Sequence, residues 1–454
     1  MLEEMKNQMT DVQAGRITVE TLARQRLDRL TRKNPAVNAV VEYHPDELIL
    51  QAQSLDRQLA AGQSLVLAGT FVTVKDNLNV KGMKSTAGLR KLKDNLAGSD
   101  SEAVARLRQA GALILGKTNM APAAMDVQTD NPVYGRTNHP CFPERTCGGS
   151  SGGGACAVRL GISDVDVGND IMGSIRIPAS FCGVCGFVPT GGTISLDGFA
   201  GGKPMGSTLS RMLRIGLQAR TLGDIQTVLP VVLDKHVPFI DETAGHPLRI
   251  AWSDDCGHLP LSDATRKRFA SFRQDLTAAH ELYPLQPNDF DFDLARRCFI
   301  KLFYGALAAT LPSPVVLIEK HVLRNRFLNS RLKDYLQAEN ELATCTRQLE
   351  ELFDRFDCLI VPVTATPAFL HQKPDKMRGV QPIYRSFLVD GQKTSYASAN
   401  LGYTTPFCTA HPVIAMPIGK SEEGLPIGVQ VVCGYHREKK LLTVVHQLQA
   451  LIGS

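Results

Sequence analysis

Short apolar, β-branched runs alternate with amphipathic helical stretches along this chain, and that alternation restricts the fold more than any other feature. Residues 67–75 (LAGTFVTVK) read as a buried strand ending at Lys75. Residues 101–111 read as a helix with Val104, Leu107 and Ala110 on one side, and 112–115 as another short strand, closed by Gly116. Residues 357–363 form a strand that runs into a Pro/Thr loop, 413–417 and 427–432 are late strands, and 440–451 is a closing helix. Strands that alternate with helices imply an α/β class, a sheet covered by helices on both faces. The first 60 residues read as helix. Ile17, Leu22, Leu27 and Leu30 recur at roughly helical spacing, Thr18 and Glu20 suit a helix start, and 46–59 repeats the pattern. Residues 319–356 contain a long charged amphipathic helix, broken once or twice.

The chain has 454 residues, enough for a large core. Neither an internal repeat nor a clear linker divides it, so 1–454 is expected to be one domain. Its parts are N-terminal helices (1–60), a core (65–230), a variable region (235–400) and a return to the core (401–454). Hydrophobic residues at 43% and charged residues at 21% suit a globular enzyme. The net charge of +5 comes without a basic block or a basic–aromatic stripe, which argues against a nucleic-acid partner. The polar N-terminus does not read as a signal peptide, and no run reaches the roughly 18–20 apolar residues of a membrane span. A cytoplasmic protein with reduced thiols is the expectation for its 11 cysteines.

Residues 146–206 are dense in Gly, Ser and Cys, yet apolar pieces run through them, so the segment is packed rather than disordered. Two motifs there carry chemistry: 147–154 (CGGSSGGG) and 169–178 (NDIMGSIRIP); a third, 74–77 (VKDN), lies at a strand end. An amide is a poor electrophile, and a serine cleaves it through an acyl-enzyme only if a base takes its proton. No G-x-S-x-G elbow surrounds Ser174 and no convincing His–Asp partners stand out, which leaves a Ser–Lys arrangement. Lys75 can be that base only if burial or nearby positive charge lowers its pKa. Backbone N–H groups of Ile171, Met172, Gly173 and Ser174 could converge as an oxyanion hole. Taken alone, a Gly/Ser run is more often a loop or anion nest, and a strand-end Lys–Asp pair is more often a solvated ion pair.

Further motifs decide between these readings. Residues 116–120 (GKTNM), 131–136 (NPVYGR), 148–153 (GGSSGG), 173–179 (GSIRIPA), 181–190 (FCGVCGFVPT), 220–224 (RTLGD) and 424–430 (GLPIGVQ) follow 74–77 in the order and spacing of the amidase signature family. The chain resembles that family over nearly its whole length, least at 235–400, and the resemblance implies a large mixed, mostly parallel central sheet covered by helices on both faces, with 65–230 as the catalytic core and 235–400 as the variable substrate side. The resemblance implies a hydrolase acting on linear amide C–N bonds, with Lys75 as base, Ser150, held by a cis peptide bond, as relay, and Ser174 as nucleophile. No metal or organic cofactor is implied. The implied partner is a small-molecule amide or acyl substrate, with no nucleic acid, no membrane and a possible homodimer. Met125 aligns with a substrate-contacting position, as readily explained by core packing, and Ser150 faces the same substrate. Two departures stand out: Met172 replaces a usual Gly before Gly173, and Cys408 sits where Asn is common. Met172 would be strained if its φ had to be positive. Asp170 and Arg176 are expected to brace the nucleophile loop as an ion pair. Cys182 and Cys185 are expected to be structural thiols, and His139 and His411 structural histidines. The alternative functions are an amine-accepting transacylase and an amidotransferase A-type subunit.

Overall fold

The structure, a computed structural model, describes residues 4–199, 207–234, 246–310, 332–379 and 381–452. Its centre is an 11-stranded sheet. In chain order the strands are β1 (Val40–Glu42), β2 (Phe71–Lys75), β3 (Leu113–Thr118), β4 (Val165–Asp170), β5 (Cys185–Val188), β6 (Arg214–Ala219), β7 (Arg249–Trp252), β8 (Glu281–Pro284), β9 (Cys358–Pro362), β10 (Val413–Lys420) and β11 (Pro426–Val432). Across the sheet they lie in the order β1-β3-β2-β4-β6-β5-β10-β11-β9-β7-β8.

Apart from the edge strands β1 and β8, the strands are buried on both faces, as their near-continuous apolar runs require. Alternate side chains go to opposite cores: Phe71, Leu113, Leu359 and Val413 to one, Val72, Ile114, Ile360 and Ile414 to the other. The N-terminal helices and the helix Gly152–Arg159 cover the first face. Helices Glu102–Gln109, Leu222–Val232, Asp263–Ala279 and Glu438–Ala450 cover the second.

The expected mixed sheet is what forms, but parallel strands do not dominate it. Parallel pairing is confined to β3-β2-β4 at one side and β9-β7-β8 at the other. Every pairing between those blocks is antiparallel. The physical reason is clearest at β10 and β11, which a short turn joins directly, and a hairpin can only pair antiparallel strands.

Two strand boundaries differ from the sequence reading. Residues 67–69 are not part of β2, because the chain turns at Gly69, whose φ is +88°. Conversely, Gly116 does not end β3. A Cβ at Gly116 would lie 2.4 Å from the Glu42 carbonyl oxygen, so the glycine lets edge strand β1 approach. Thr18 caps the helix Val19–Val37 as expected, its Oγ1 accepting from the Thr21 N–H at 3.1 Å. Within 319–356 the described residues form one unbroken helix, Leu332–Arg355, and 319–331 lie outside the described residues.

The pairing of β2 with β4 positions the site. These parallel neighbours run in register, Thr73 beside Asp166 and Val74 beside Val167, so both strands end on the same side of the sheet. That brings Lys75 next to Asn169 and Asp170. Ser151 begins the helix Gly152–Arg159, and its N–H donates to the Ser174 carbonyl at 3.0 Å, tying the two serine motifs together.

Candidate active site

Lys75 is fully buried. Its Nζ donates to Ser150 Oγ at 2.7 Å and to Asn169 Oδ1 at 3.0 Å. Asn169 is held in turn by donation from its Nδ2 to Asn77 Oδ1 at 2.8 Å. Burial lowers the Lys75 pKa to about 7, against the opposing pull of Asp170 and Asp166. Asp76 does not pair with Lys75. Its carboxylate accepts from Thr86 Oγ1 at 2.5 Å and from the N–H groups of Thr86 and Gly88, anchoring a loop under the site. The solvated strand-end ion pair is therefore excluded.

Ser150 is also fully buried, and the Gly149–Ser150 peptide bond is cis. Ser174 is 8% exposed, and it opens onto a cavity of about 350 Å³. Met172 and Met125 line the same cavity, so both of these expected residues stand near Ser174. The other walls come from Ala124, Asp126 and Val127 and from residues 296–304 and 381–405, which fall mostly in the divergent stretch that sequence motifs did not resolve.

The loop that carries Ser174 is tied to one carboxylate. Asp170 Oδ1 accepts from the Gly173 N–H and from Arg176 Nη2, both at 2.8 Å. Asp170 Oδ2 accepts from the Ile175 N–H at 3.0 Å and from Arg176 Nε at 3.1 Å. Burial opposes its ionisation, but the Arg176 guanidinium and these donors hold the Asp170 carboxyl well below the usual carboxylate range. Arg176 extends the brace, donating to the Thr404 carbonyl at 2.9 Å and to Gln430 Oε1 at 2.7 Å. Thr404 Oγ1 donates to the Met172 carbonyl, so the segment that leads into Cys408 buttresses the loop.

This arrangement bears on the expected oxyanion donors. The Gly173 N–H is already committed to Asp170, which leaves the amides of Ile171, Met172 and Ser174 as candidates. The left-handed residue of the loop is Gly173, at φ +115°, and not Met172. Met172 is thus free of the strain its side chain would suffer there. A Cβ on Gly173 would lie 2.6 Å from Thr404 Oγ1, so this position excludes any side chain.

The remaining sequence candidates are structural. Cys182 packs into one core and Cys185 into the other, on opposite sides of the sheet, so they cannot share a ligand. His139 bonds to the Phe181 carbonyl at 2.9 Å, and His411 to Glu350 at 2.8 Å. Cys408 is buried, with its Sγ donating to the Ala295 carbonyl. Sequence reasoning missed three groups. Asn169 orients the Lys75 amine, although it lies within a motif already singled out. Asp166 is buried one strand away from Lys75. Asp126 lines the cavity. Only the tertiary arrangement marks the last two.

A family model described as Amidase matches residues 21–442, and the chain belongs to that family. It is 29% identical over 478 residues to the A-type subunit of the glutamyl-tRNA(Gln) amidotransferase of Synechococcus sp. (strain RCC307), covering 96% of this chain and 94% of that one. A crystal structure of an amidase superposes with a TM-score of 0.83 at 28% identity, over 99% of this chain and 100% of the other. The 6-aminohexanoate cyclic dimer hydrolase complexed with substrate superposes with a TM-score of 0.80 at 25% identity, over 99% and 97%. No helix among the described residues is long and apolar enough to cross a membrane.

Proposed function

We propose that this protein hydrolyses a carboxylic amide through an acyl-enzyme on Ser174. The observation that supports it best is the buried Lys75 amine, lowered to about 7 and 2.7 Å from Ser150 Oγ. A general base is most effective with a pKa near the working pH. Neutral Lys75 takes the Ser150 proton while Ser150 takes that of Ser174. Ser174 Oγ attacks the carbonyl carbon, and the free amides of the 171–174 loop hold the oxyanion. The C–N bond breaks as the leaving nitrogen receives a proton back from Lys75 through Ser150. Water, deprotonated along the same path, then cleaves the ester and releases the acid.

Labelling with a fluorophosphonate followed by peptide mapping tests this. The adduct is expected on Ser174, and Ser174→Ala should abolish turnover with the fold intact. An adduct on Ser151 or a cysteine, with Ser174 untouched, would sink the assignment. A second reading draws on the names of the relatives: a polypeptide that works with partners, as A-type amidotransferase subunits do. Purification of the tagged chain from its own cells tests it, since a stoichiometric partner would favour this reading. A third keeps the acyl-enzyme and resolves it with an amine instead of water. Mass analysis of products with water and amines in competition separates it from hydrolysis.

A further inference from the structure

The cavity beside Ser174 has a feature that amide cleavage does not use. Asp126 lies in its wall, among apolar and aromatic side chains that include Phe299, Phe303 and Tyr304. The Gln128 backbone N–H and three further donors hold the carboxylate in place. Tyr384 Oη donates to Oδ2 at 2.7 Å, Tyr396 Oη to Oδ1 at 3.0 Å, and the Val127 N–H to Oδ1 at 2.7 Å. The two tyrosine rings stack with centroids 4.0 Å apart, and Gln128 Nε2 donates to Tyr384 Oη at 2.7 Å. The carboxylate is therefore rigidly aimed, and its orienting groups are all neutral.

No cation among the described residues balances it. Arg296 lines the same cavity, but its guanidinium is taken. It pairs with Asp293 and donates to the carbonyls of Cys256 at 2.7 Å and Gly402 at 3.1 Å. A carboxylate withdrawn from water without a counter-charge is unfavourable, and burial raises Asp126 to about 6 although its hydrogen bonds oppose this. A cation brought by the ligand would relieve that. The aromatic walls favour the same partner, because ring faces attract ammonium groups, most strongly where water is excluded.

We infer that this cavity selects amides bearing a protonated amine, with Asp126 as the counter-charge and Tyr384 and Tyr396 as the residues that position it. The inference rests on the acyl-enzyme reading above and names the substrate class for the same site. Asp126 is here a specificity residue; it takes no part in bond making.

The test uses three matched linear amides of equal length, ending in an ammonium, a methyl or a carboxylate group. The wild-type kcat/KM is expected to be at least tenfold higher for the ammonium amide than for its methyl counterpart, and lowest for the carboxylate. In Asp126→Asn that tenfold ratio should collapse towards one. Equal or reversed preference in the wild type overturns the inference, as does a preference that survives Asp126→Asn. Should the variant fail to fold, the wild-type series still decides, together with protection: butylammonium should slow fluorophosphonate labelling of Ser174 and pentanol should not. If Ser174 is not labelled at all, the acyl-enzyme reading fails first. Calorimetric binding of butylammonium, which needs no chemistry, then judges the cation site separately, and absence of binding overturns it.

Discussion

Replacing Lys75 with methionine isolates what burying an amine does to this fold. The amine falls from 10.5 to about 7 on burial, a penalty on the order of 5 kcal/mol. Below pH 7 folded and unfolded chains both hold the proton, and the folded chain bears the whole penalty. Between pH 7 and 10.5 the folded chain has released a proton that the unfolded chain still binds, so wild-type stability rises with pH. Above that window neither state is charged and the penalty is gone. Methionine is of similar length, buries well and does not titrate. It loses the hydrogen bonds to Ser150 and Asn169, worth ~1 kcal/mol each. Lys75→Met is therefore expected to be more stable than wild type by about 3 kcal/mol at neutral pH and below. The advantage should shrink by close to ~1.4 kcal/mol per pH unit above 7 and reverse near about pH 9. Urea unfolding of both proteins across this range measures it. A stability difference that does not change with pH refutes the reasoning, because Lys75 would then remain charged in the folded chain.

Lys75→Arg keeps a cation but cannot supply a neutral base, since arginine does not deprotonate in proteins. Its acylation rate is expected to fall by about 10²–10⁴-fold, as in Lys75→Ala, and in both variants the rise of rate with pH through about 7 should disappear; retention of most of the wild-type rate would reduce Lys75 to a structural contact. Met172→Gly should enlarge the cavity beside Ser174, which the methionine lines, and so widen the range of acyl groups accepted. An unchanged profile over a series of acyl chain lengths would place the Met172 side chain outside the acyl path.

Much of the site could be read from sequence because it is built from local patterns. A β-branched run ending at Lys75 forces the amine to the end of a buried strand, and it is buried. The Asp170–Arg176 brace spans one short loop, so its spacing already suggested it, and both side chains are fully buried. Sheet polarity was less accessible. Strand β6 sits between β4 and β5, and nothing local in residues 214–219 says which neighbours it will choose. The hydrogen bond of the Gly173 N–H to Asp170 was hidden for a related reason. A glycine before a nucleophile looks like an oxyanion donor until the carboxylate that takes its N–H is placed in space. Asp126 is less accessible still. It gains meaning from Tyr384 and Tyr396, more than 250 positions away along the chain.

The charge state of Lys75 depends on a second carboxylate that no motif announced. Asp170 is already matched by Arg176, so Asp166 is the remaining anion that could hold a proton on the amine. Its Oδ1 accepts from Thr73 Oγ1 and Thr118 Oγ1, both at 2.9 Å. Its Oδ2 has no partner, and neither does Oε1 of Gln218, directly across on β6. The two oxygens crowd one spot: a Cβ on Gly154 would meet Oδ2 at 2.0 Å and Oε1 at 2.7 Å. The Gln218 amide cannot turn to help without losing its donation to the Ile175 carbonyl at 3.1 Å. Two unpartnered acceptors side by side are reconciled by one proton, so we predict that Asp166 is a neutral acid donating to Gln218 in the resting enzyme. Burial agrees, raising Asp166 to about 7. Since Asp166 and Lys75 titrate in the same range, the acylation profile of the wild type reports the pair and not the lysine alone. Asp166→Asn keeps a donor towards Gln218 and an acceptor for the two threonines while removing the ionisation. An anion that raises the Lys75 pKa is then absent at every pH. The midpoint of the acylation rate should move to lower pH and the rise should fit a single ionisation. A midpoint that stays in place or moves upward would mean that Asp166 does not act on Lys75.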